Sequence, residues 1–310
     1  MAFEPLLKVA RAGIPVFLVP GNHERSRIPY GLLASHPLIH IFDRPRTFVL
    51  EQKGFCLALA GFPYQGRVRR RFPSLLERTG WRNPPAQARI LCLHHCFEGA
   101  RVGPVDYTFR SGPDVIRAAD LPSGLTALLS GHIHRHQVLK NDLRGRPLKC
   151  PVLYPGSIER TSFAEKDEPK GYLRIQLGTR GAVRGRLLGW SFKELPTRSM
   201  IQLDLEGAGL KGHDPRAWLT KRLSALDPEG VVRLRIRGEV SREWRPYLSA
   251  PGLRRLAPET MNIEVSFPDL RRPDRSQPDP SSSQKRARAA SKPADPGTRT
   301  GRQWSGKSRR

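Results

Sequence analysis

Short apolar runs that end abruptly in polar residues recur along the first part of the chain. Each run has the length and the aliphatic or β-branched content of a buried strand. Residues 47–50 and 55–60 are two such runs joined by the turn Gln52-Lys53-Gly54, which predicts a β-hairpin. The other strands predicted from this pattern are residues 14–19, 88–93, 125–130, 137–139, 152–154 and 172–177.

Helical patterns are fewer and shorter in this part of the chain. Residues 4–12 have the pattern of the end of an amphipathic helix, which Gly13 stops. Residues 30–34 and the basic stretch 67–89 also predict helices. Residues 99–124 are predicted to form a long connection with a helix after Pro113. Strands and helices together predict an α/β fold.

The composition changes near Trp190 and again after Arg271. Residues 190–270 predict a separate accessory α+β domain, with strands at 199–205, 231–237 and 263–267 and helices at 215–225 and 244–255. Beyond it, Arg, Lys, Ser, Pro, Gly and Ala leave almost nothing to bury, which predicts disorder. The predicted domains are therefore residues 1–189, 190–270 and a basic tail, 271–310.

The chain is strongly basic. Lys and Arg total 54 against 28 Asp and Glu, a net charge of +26. Such a charge favours a polyanionic partner, and nucleic acid is the first candidate. An arginine-rich proteome and the tail explain part of the excess without any function. The basic residues in 285–310 could contact phosphates nonspecifically; equally, they could serve only to keep the protein soluble.

The cysteines indicate a reducing compartment. Cys56, Cys92, Cys96 and Cys150 form no Cys-x-x-Cys pair, and the chain is too long for a disulfide scaffold. A zinc site at Cys92 and Cys96 is disfavoured because a second ligand pair is lacking. With no apolar run of ~20 residues and no signal peptide pattern, the sequence predicts a cytoplasmic protein without membrane attachment.

Three predicted strands end in residues that suit a metal ion. They run into Gly21-Asn22-His23-Glu24, into His94-His95, and into Gly131-His132-Ile133-His134. Loops at the carboxyl ends of neighbouring strands share one crevice in layered α/β proteins. Each histidine alone fits a satisfied polar residue at a strand end; the three turns together favour a manganese, iron or zinc site.

A pair of metals implies a reaction class. Two divalent ions can clamp a phosphate for in-line attack, which indicates metal-assisted phosphoester hydrolysis. His23 suits proton transfer better than ligation because it neighbours Asn22 and could face a substrate oxygen.

These three turns resemble the last three motifs of the calcineurin-like metallophosphoesterases. A second stretch resembles a smaller group within these proteins. It runs from Tyr154-Pro155-Gly156-Ser157 to Phe163 and is followed by Lys170-Gly171-Tyr172. It resembles the SbcD branch, the bacterial counterpart of the double-strand-break-repair nuclease subunit. The resemblance covers about residues 1–270, including an accessory unit similar to that family's DNA-capping domain.

The resemblance implies a metallophosphoesterase β-sandwich flanked by helices, with two divalent metal ions, typically Mn²⁺. Asn22, His94 and His132 would bind one ion, His134 the other, and His23 would be the transition-state histidine. The family acts as a homodimer that pairs with an SMC-like ATPase, the SbcC type, and cuts DNA ends as exonuclease and endonuclease.

Two interpretations remain for each of the residues that lie next to these candidate ligands in the sequence. His94 is taken as the ligand because the family pattern places it first after the strand, and His95 then supports it or contacts substrate. His136 continues the alternation of His132 and His134, but an exposed strand residue fits equally well. Glu159 and Arg160 either position phosphates or pair with each other. A set of nearby arginines either faces DNA or forms a solvated basic surface; these are Arg67, Arg69, Arg70 and Arg71.

The sequence departs from the family in its first two motifs. Asp-x-His and Gly-Asp-x-x-Asp, expected upstream of Gly21-Asn22-His23, are absent from the chain. Without their carboxylates one ion keeps only His134 and the other keeps neutral ligands, so a dinuclear centre is not expected to assemble in this chain. The preserved spacing of the remaining motifs favours a coding start further upstream over a degenerate paralogue.

Three functions follow from these observations. The first is a manganese-dependent DNA nuclease subunit. The second is a small-molecule phosphodiesterase of the same fold, which the accessory domain and the basic charge disfavour. The third is a non-catalytic DNA-binding or scaffold protein.

Overall fold

A six-stranded mixed sheet forms the centre of the first part of the chain. The computed structural model describes residues 4–24 and 36–268. The sheet has the order β11-β12-β10-β5-β4-β3. Its strands are β3 Arg46–Gln52, β4 Phe55–Gly61, β5 Ala88–Leu93, β10 Ala127–Ser130, β11 Gln137–Asn141 and β12 Pro147–Tyr154.

The other elements surround this sheet or follow it. The helices are α1 Glu4–Arg11, α2 Val68–Arg78, α3 Pro215–Ser224 and α4 Ala250–Leu256. The remaining strands are β1 Val16–Leu18, β2 Ile39–Ile41, β6 Cys96–Phe97, β7 Arg101–Val102, β8 Tyr107–Thr108, β9 Val115–Ile116, β13 Gly171–Leu177, β14 Leu187–Glu194, β15 Met200–Glu206, β16 Val231–Arg237 and β17 Asn262–Ser266.

Four parallel strands determine where the functional turns lie. β4, β5, β10 and β12 run in one direction, and β3 and β11 pair antiparallel at the two edges. Parallel neighbours bring their carboxyl ends to the same edge of a sheet. Because Leu93 and Ser130 are register partners at the ends of β5 and β10, the residues that follow them leave the sheet side by side.

Alternation along the strands gives the sheet two buried faces. Leu59 and Ile90 belong to a core that includes Phe17 of β1 and Ile175 of β13. The next residue along β5, Leu91, lies on the other face of the sheet and belongs to the larger core with α2. The α/β fold of the metallophosphoesterase type that the sequence predicts is confirmed.

A smaller unit follows β14. β15, β16 and β17 form a parallel three-stranded sheet. It has its own core around the fully buried Trp244 and Leu234. Parallel strands need crossover connections, which α3 and α4 supply here. The predicted strands of this unit agree with β15, β16 and β17 to within one residue at each end.

The predicted helix at 244–255 is wrong in its first half, because the helix begins only at Ala250. Ser249 is its N-cap, and the Ser249 hydroxyl accepts the Gly252 N–H at 3.1 Å. Proline lies in the first helical turn, where a missing N–H is tolerated. The preceding residues form turns around Trp244 instead.

Two further predictions need correction. After Pro113 the chain forms β9, which pairs with β6, and then a single 3₁₀ turn, Ala118–Asp120, where a helix was predicted. β14 was not predicted, and the expected domain boundary at Trp190 lies inside it, since Trp190 pairs with Ile175 of β13.

The predicted helix at 30–34 and the predicted disordered tail lie outside the described residues. Within residues 4–24 and 36–268, no helix combines the length and the apolarity needed to cross a bilayer.

The pairing of β13 with β14 can be tested at Gly171. A Cβ at this position would lie 2.1 Å from the Lys193 carbonyl oxygen across the strand pair. We expect Gly171→Ala to lower the free energy of unfolding by about 1–3 kcal/mol, because the backbone must shift to admit the methyl group. Urea denaturation measures the change. Gly189→Ala on β14 is the control, since nothing lies within 4 Å of its Cβ position; equal effects of the two variants would contradict the pairing.

Candidate metal centre

The three predicted turns meet at the carboxyl edge of the central sheet. The Gly131 N–H donates to the Leu93 carbonyl at 3.0 Å, which joins the turn after β10 to the turn after β5. Asn22 reaches the same place from the turn after β1, and its Oδ1 lies 3.1 Å from His94 Nε2. The His94 and His132 rings are T-shaped, with centroids 5.3 Å apart.

Two glycines make room for the His94 imidazole. A Cβ at Gly21 would lie 2.7 Å from His94 Cε1, and a Cβ at Gly131 would lie 2.7 Å from His94 Nδ1. Neither glycine has a positive φ, so the requirement is steric. The strained residue is His132, whose φ of 74° lies in the left-handed region. The ring of His94 is thus held from both sides by backbone.

Asn22 and His94 have the separation of two ligands of one ion. Adjacent ligands of an octahedral ion at ~2.1 Å are about 3 Å apart, and the Oδ1–Nε2 distance is 3.1 Å. An amide oxygen and a neutral imidazole nitrogen are both acceptable ligands for manganese or zinc.

Burial keeps the imidazoles of this site neutral. Burial, together with the charges that His132, His134 and His23 acquire on protonation, lowers the pKa of His94 to about 4. Burial also lowers the pKa of His132, again with His134 and His23 contributing. Neutral imidazole is the form that binds a metal.

His134 is oriented by a carboxylate. Its Nδ1 lies 3.0 Å from Glu165 Oε1 and 3.0 Å from Thr161 Oγ1. Burial raises the pKa of Glu165, but hydrogen bonds from Lys170, His134 and Thr161 outweigh it and lower the pKa to about 2. An ionised Glu165 accepts the Nδ1 proton, which leaves the Nε2 lone pair of His134 for a ligand.

His95 lies beneath the site, and its predicted contact with substrate is corrected. The side chain is 1% exposed. Its Nε2 accepts the Gln65 N–H at 3.0 Å, and its carbonyl accepts the Ser130 hydroxyl at 2.8 Å and the Tyr154 hydroxyl at 3.0 Å. Its ring stacks on Tyr64 with centroids 5.1 Å apart. A substrate does not reach a ring enclosed in this way. His95 instead supports the residues of the site from below.

Arg160 is also engaged elsewhere than at a substrate. Its Nη1 donates to Thr197 Oγ1 at 2.6 Å and to the Arg198 carbonyl at 3.2 Å. Glu159 accepts the Arg160 N–H at 2.8 Å and the Arg198 N–H at 3.2 Å. The two side chains therefore hold the segment between β14 and β15, which corrects both the predicted phosphate contact and the alternative pairing of their side chains.

Two other candidates fall outside the site. His136 stacks on Phe192 with centroids 4.4 Å apart, and its Nδ1 lies 3.0 Å from the Tyr154 carbonyl oxygen. Cys92 packs in the core against β1 and β13, whereas Cys96 belongs to the core with α2. Burial raises the pKa of both thiols to about 12, as expected for cysteines packed in two different cores.

Sequence reasoning missed Tyr64, Glu165 and Lys170. Tyr64 stacks on His132 with centroids 5.9 Å apart and lies just beyond the carboxyl end of β4. A signal for Tyr64 existed, because Gly61-Phe62-Pro63-Tyr64 closes a strand next to β5. Glu165 and Lys170 lie in or beside the stretch that resembles the SbcD branch. Their spacing in the sequence did not predict a contact with His134.

The donor set fits the histidine and amide part of a metal centre. In the described residues no group of three or more His, Cys, Asp or Glu side chains is arranged to hold an ion. Asn22, His94 and His132 offer one amide and two imidazoles, and His134 offers a further imidazole. Carboxylates that would balance two divalent charges do not belong to this set.

Comparisons with known proteins found one matching family and a similar protein. Residues 2–136 match the family described as calcineurin-like phosphoesterase. The chain is 24% identical over 249 residues to the DNA double-strand break repair protein Mre11 of Archaeoglobus fulgidus, an alignment covering 74% of this chain and 53% of that protein. The chain thus spans about half the length of the curated relative that it matches.

The space around His94 can be tested at Gly131. Gly131→Ala places a methyl group against His94 Nδ1, so the ring must turn away from Asn22. We expect the affinity of the chain for Zn²⁺, measured by calorimetry, to fall by about 10-fold or more. Gly209→Ala, which meets nothing within 4 Å, should leave it unchanged. An unaltered affinity in the folded Gly131→Ala protein would contradict the role of His94.

Proposed function

The chain belongs to the metallophosphoesterase superfamily through its residues 2–136, and we propose that it acts in the metal-dependent hydrolysis of phosphodiester bonds in DNA. Superfamily membership supports phosphoester hydrolysis as the reaction. The observation that carries the proposal is the convergence of Asn22, His94 and His132 at one edge of the sheet, with Asn22 Oδ1 and His94 Nε2 3.1 Å apart.

The residues of the chain take distinct parts in this proposal. Asn22, His94 and His132 hold one divalent ion, and His134 contributes to a second. When bound, the ions, which we propose to be Mn²⁺, supply the positive charge that neutralises a phosphate and aligns it. His23 is exposed in the turn beside Asn22 and can exchange a proton with a substrate oxygen.

A basic cleft beside the centre supports DNA as the substrate. The cleft has a volume of about 640 Å³ and extends from Gly21 and Tyr64 to Arg67 and Arg71. Arg67 is the N-cap of α2 and Arg71 lies in its first turn, and both line the cleft. Phosphates of a strand whose scissile bond lies at the centre could therefore pair with them.

The acidic residue in this cleft does not reverse its charge. Asp43 also lines the cleft, but its carboxylate pairs with Arg46 at 3.3 Å. The chain as a whole carries +26, which draws polyanions to it and raises their local concentration.

The relative gives the proposed biological setting. The similar Archaeoglobus protein is named a DNA double-strand break repair protein. We extend this to an SbcD-like role as nuclease subunit, with the β15–β17 unit as a DNA-capping domain, a homodimeric state, an SMC-family ATPase partner and a cytoplasmic location. These assignments rest on resemblance.

A second candidate is a DNA-binding or scaffold protein without catalysis. It is favoured by one observation: in the described residues no group of three or more His, Cys, Asp or Glu side chains is arranged to hold an ion. The same basic cleft would then bind DNA without cutting it, and the two candidates differ in one measurable property, the cleavage of DNA in Mn²⁺.

The proposed reaction can be tested with linear duplex DNA and Mn²⁺. In a protein that also carries the Asp-x-His and Gly-Asp-x-x-Asp motifs upstream of Gly21, we expect release of nucleotides. We expect His23→Ala to slow this cleavage by about 10²–10⁴-fold, because a proton-transfer group is removed. His132→Ala should abolish it through loss of a ligand. His136→Ala is the matched control from the same stretch, because this ring packs on Phe192 away from the centre.

The outcomes separate the candidates. Cleavage that persists in His132→Ala would overturn the proposal. Binding of DNA without cleavage at any Mn²⁺ concentration would favour the scaffold function. Faster hydrolysis of bis(p-nitrophenyl) phosphate than of DNA ends would favour the small-molecule phosphodiesterase.

The cleft can be tested by the salt dependence of DNA binding. Replacing Arg67 and Arg71 together by Ala should weaken binding and lower the slope of log K against log salt by up to about 0.9 for each phosphate that the protein no longer neutralises. Arg70→Ala is the control, because Arg70 is an exposed residue of α2 outside the cleft lining. Equal slopes for the two proteins would exclude the cleft as the DNA site.

A further inference from the structure

A fully buried lysine lies behind the candidate metal centre. The Lys170 side chain is 0% exposed. Its Nζ donates to Glu165 Oε2 at 2.7 Å, to Glu168 Oε2 at 3.1 Å and to the His134 carbonyl at 3.0 Å. All three protons of the ammonium group are thereby used. A buried charge is costly unless it is paired and hydrogen-bonded, so this lysine requires a reason beyond packing.

Glu165 connects this lysine to the His134 ring. Its Oε2 accepts from Lys170 at 2.7 Å, and its Oε1 lies 3.0 Å from His134 Nδ1. The Thr161 hydroxyl also donates to Oε1, at 2.9 Å. One carboxylate oxygen therefore faces the cation and the other faces the imidazole, so the position of Lys170 fixes the position of both.

Glu168 shares the lysine but not the histidine. Its Oε2 accepts from Lys170 at 3.1 Å, while its Oε1 accepts the Arg135 Nε proton at 3.0 Å. Arg135 also pairs with Asp106, so two cations and three carboxylates form the cluster. Glu165 and Glu168 are thus a natural pair for comparison, since both neutralise Lys170 and only Glu165 touches the ring.

The backbone of His134 is held by the same segment. Its carbonyl accepts from Lys170 Nζ and, at 3.1 Å, from the Ser157 N–H. The turn comes so close that a Cβ at Gly156 would lie 2.8 Å from the His134 carbonyl oxygen. Main chain and ring of His134 are therefore both determined by residues 156–170.

We propose that Lys170 is a positioning residue for His134, acting through Glu165. The lysine holds the Glu165 carboxylate against Nδ1 of the imidazole, which selects the Nδ1–H tautomer and turns Nε2 toward the metal side. The consequence for metal binding rests on the proposed function. The ring orientation itself does not.

Nuclear magnetic resonance of the ¹⁵N-labelled full chain without metal tests the orientation. His134→Asn identifies the ring signals of His134 by their loss. In the wild type we expect Nδ1 to carry the proton. Glu165→Gln and Lys170→Met should change the Nδ1 and Nε2 shifts toward a mixture of tautomers, whereas Glu168→Gln should leave them in place.

Zn²⁺ affinity, measured by calorimetry, supplies the second readout. We expect Glu165→Gln and Lys170→Met to lower it by about 10–100-fold, and Glu168→Gln to leave it within a factor of two or so of wild type. Thermal unfolding of each protein shows whether it is folded. If Lys170→Met fails to fold, Glu165→Gln, a neutral variant of the same shape, carries the test.

The results decide the proposal in either direction. A folded Glu165→Gln protein with the wild-type tautomer and affinity would overturn it, and so would equal effects of Glu165→Gln and Glu168→Gln, which would indicate a purely structural cluster. Changed ring signals together with unaltered DNA cleavage would sustain the positioning role and count instead against the proposed nuclease function.

Discussion

The adjacency of two parallel strands is the constraint on which the candidate centre depends. β5 and β10 are hydrogen-bonded neighbours, and their last residues, Leu93 and Ser130, are partners in register. The polar residues that follow must then emerge together, whatever the loops between the strands do. Backbone at Gly21 and Gly131 closes on the His94 ring from two sides, so packing against the sheet fixes its orientation.

Two kinds of electrostatic environment lie next to each other at this edge. Around His94 and His132, burial and the neighbouring histidines lower the pKa of both rings and keep them neutral. Around His134, a buried ammonium and paired carboxylates hold an ionised Glu165 in place. The first environment keeps the imidazoles in the neutral form that can bind a metal, and the second places a carboxylate oxygen against Nδ1 of His134.

The support behind His134 also reaches the smaller unit. Arg233 of β16 lies over the Phe163 ring at 4.0 Å, and Arg160 binds the segment that leads to β15. Phe163 and Glu165 share a single 3₁₀ turn. The stretch that the sequence associates with one branch of the family is thus explained by physical contacts: it joins a ring of the candidate centre to the second unit.

The sequence by itself determined the strands and the ligand candidates, because both depend on local pattern: an apolar run of period two, then a turn carrying Asn22, His94, His132 or His134. Tertiary structure decided the roles of Arg160 and His95, whose partners lie far away in the chain, such as Thr197, 37 positions from Arg160. It also brought Lys170 to the His134 carbonyl, 36 positions away. It also decided β14, which pairs with β13 although its own pattern leaves Leu188 exposed. Long-range pairing depends on burial and geometry that no short window of sequence contains.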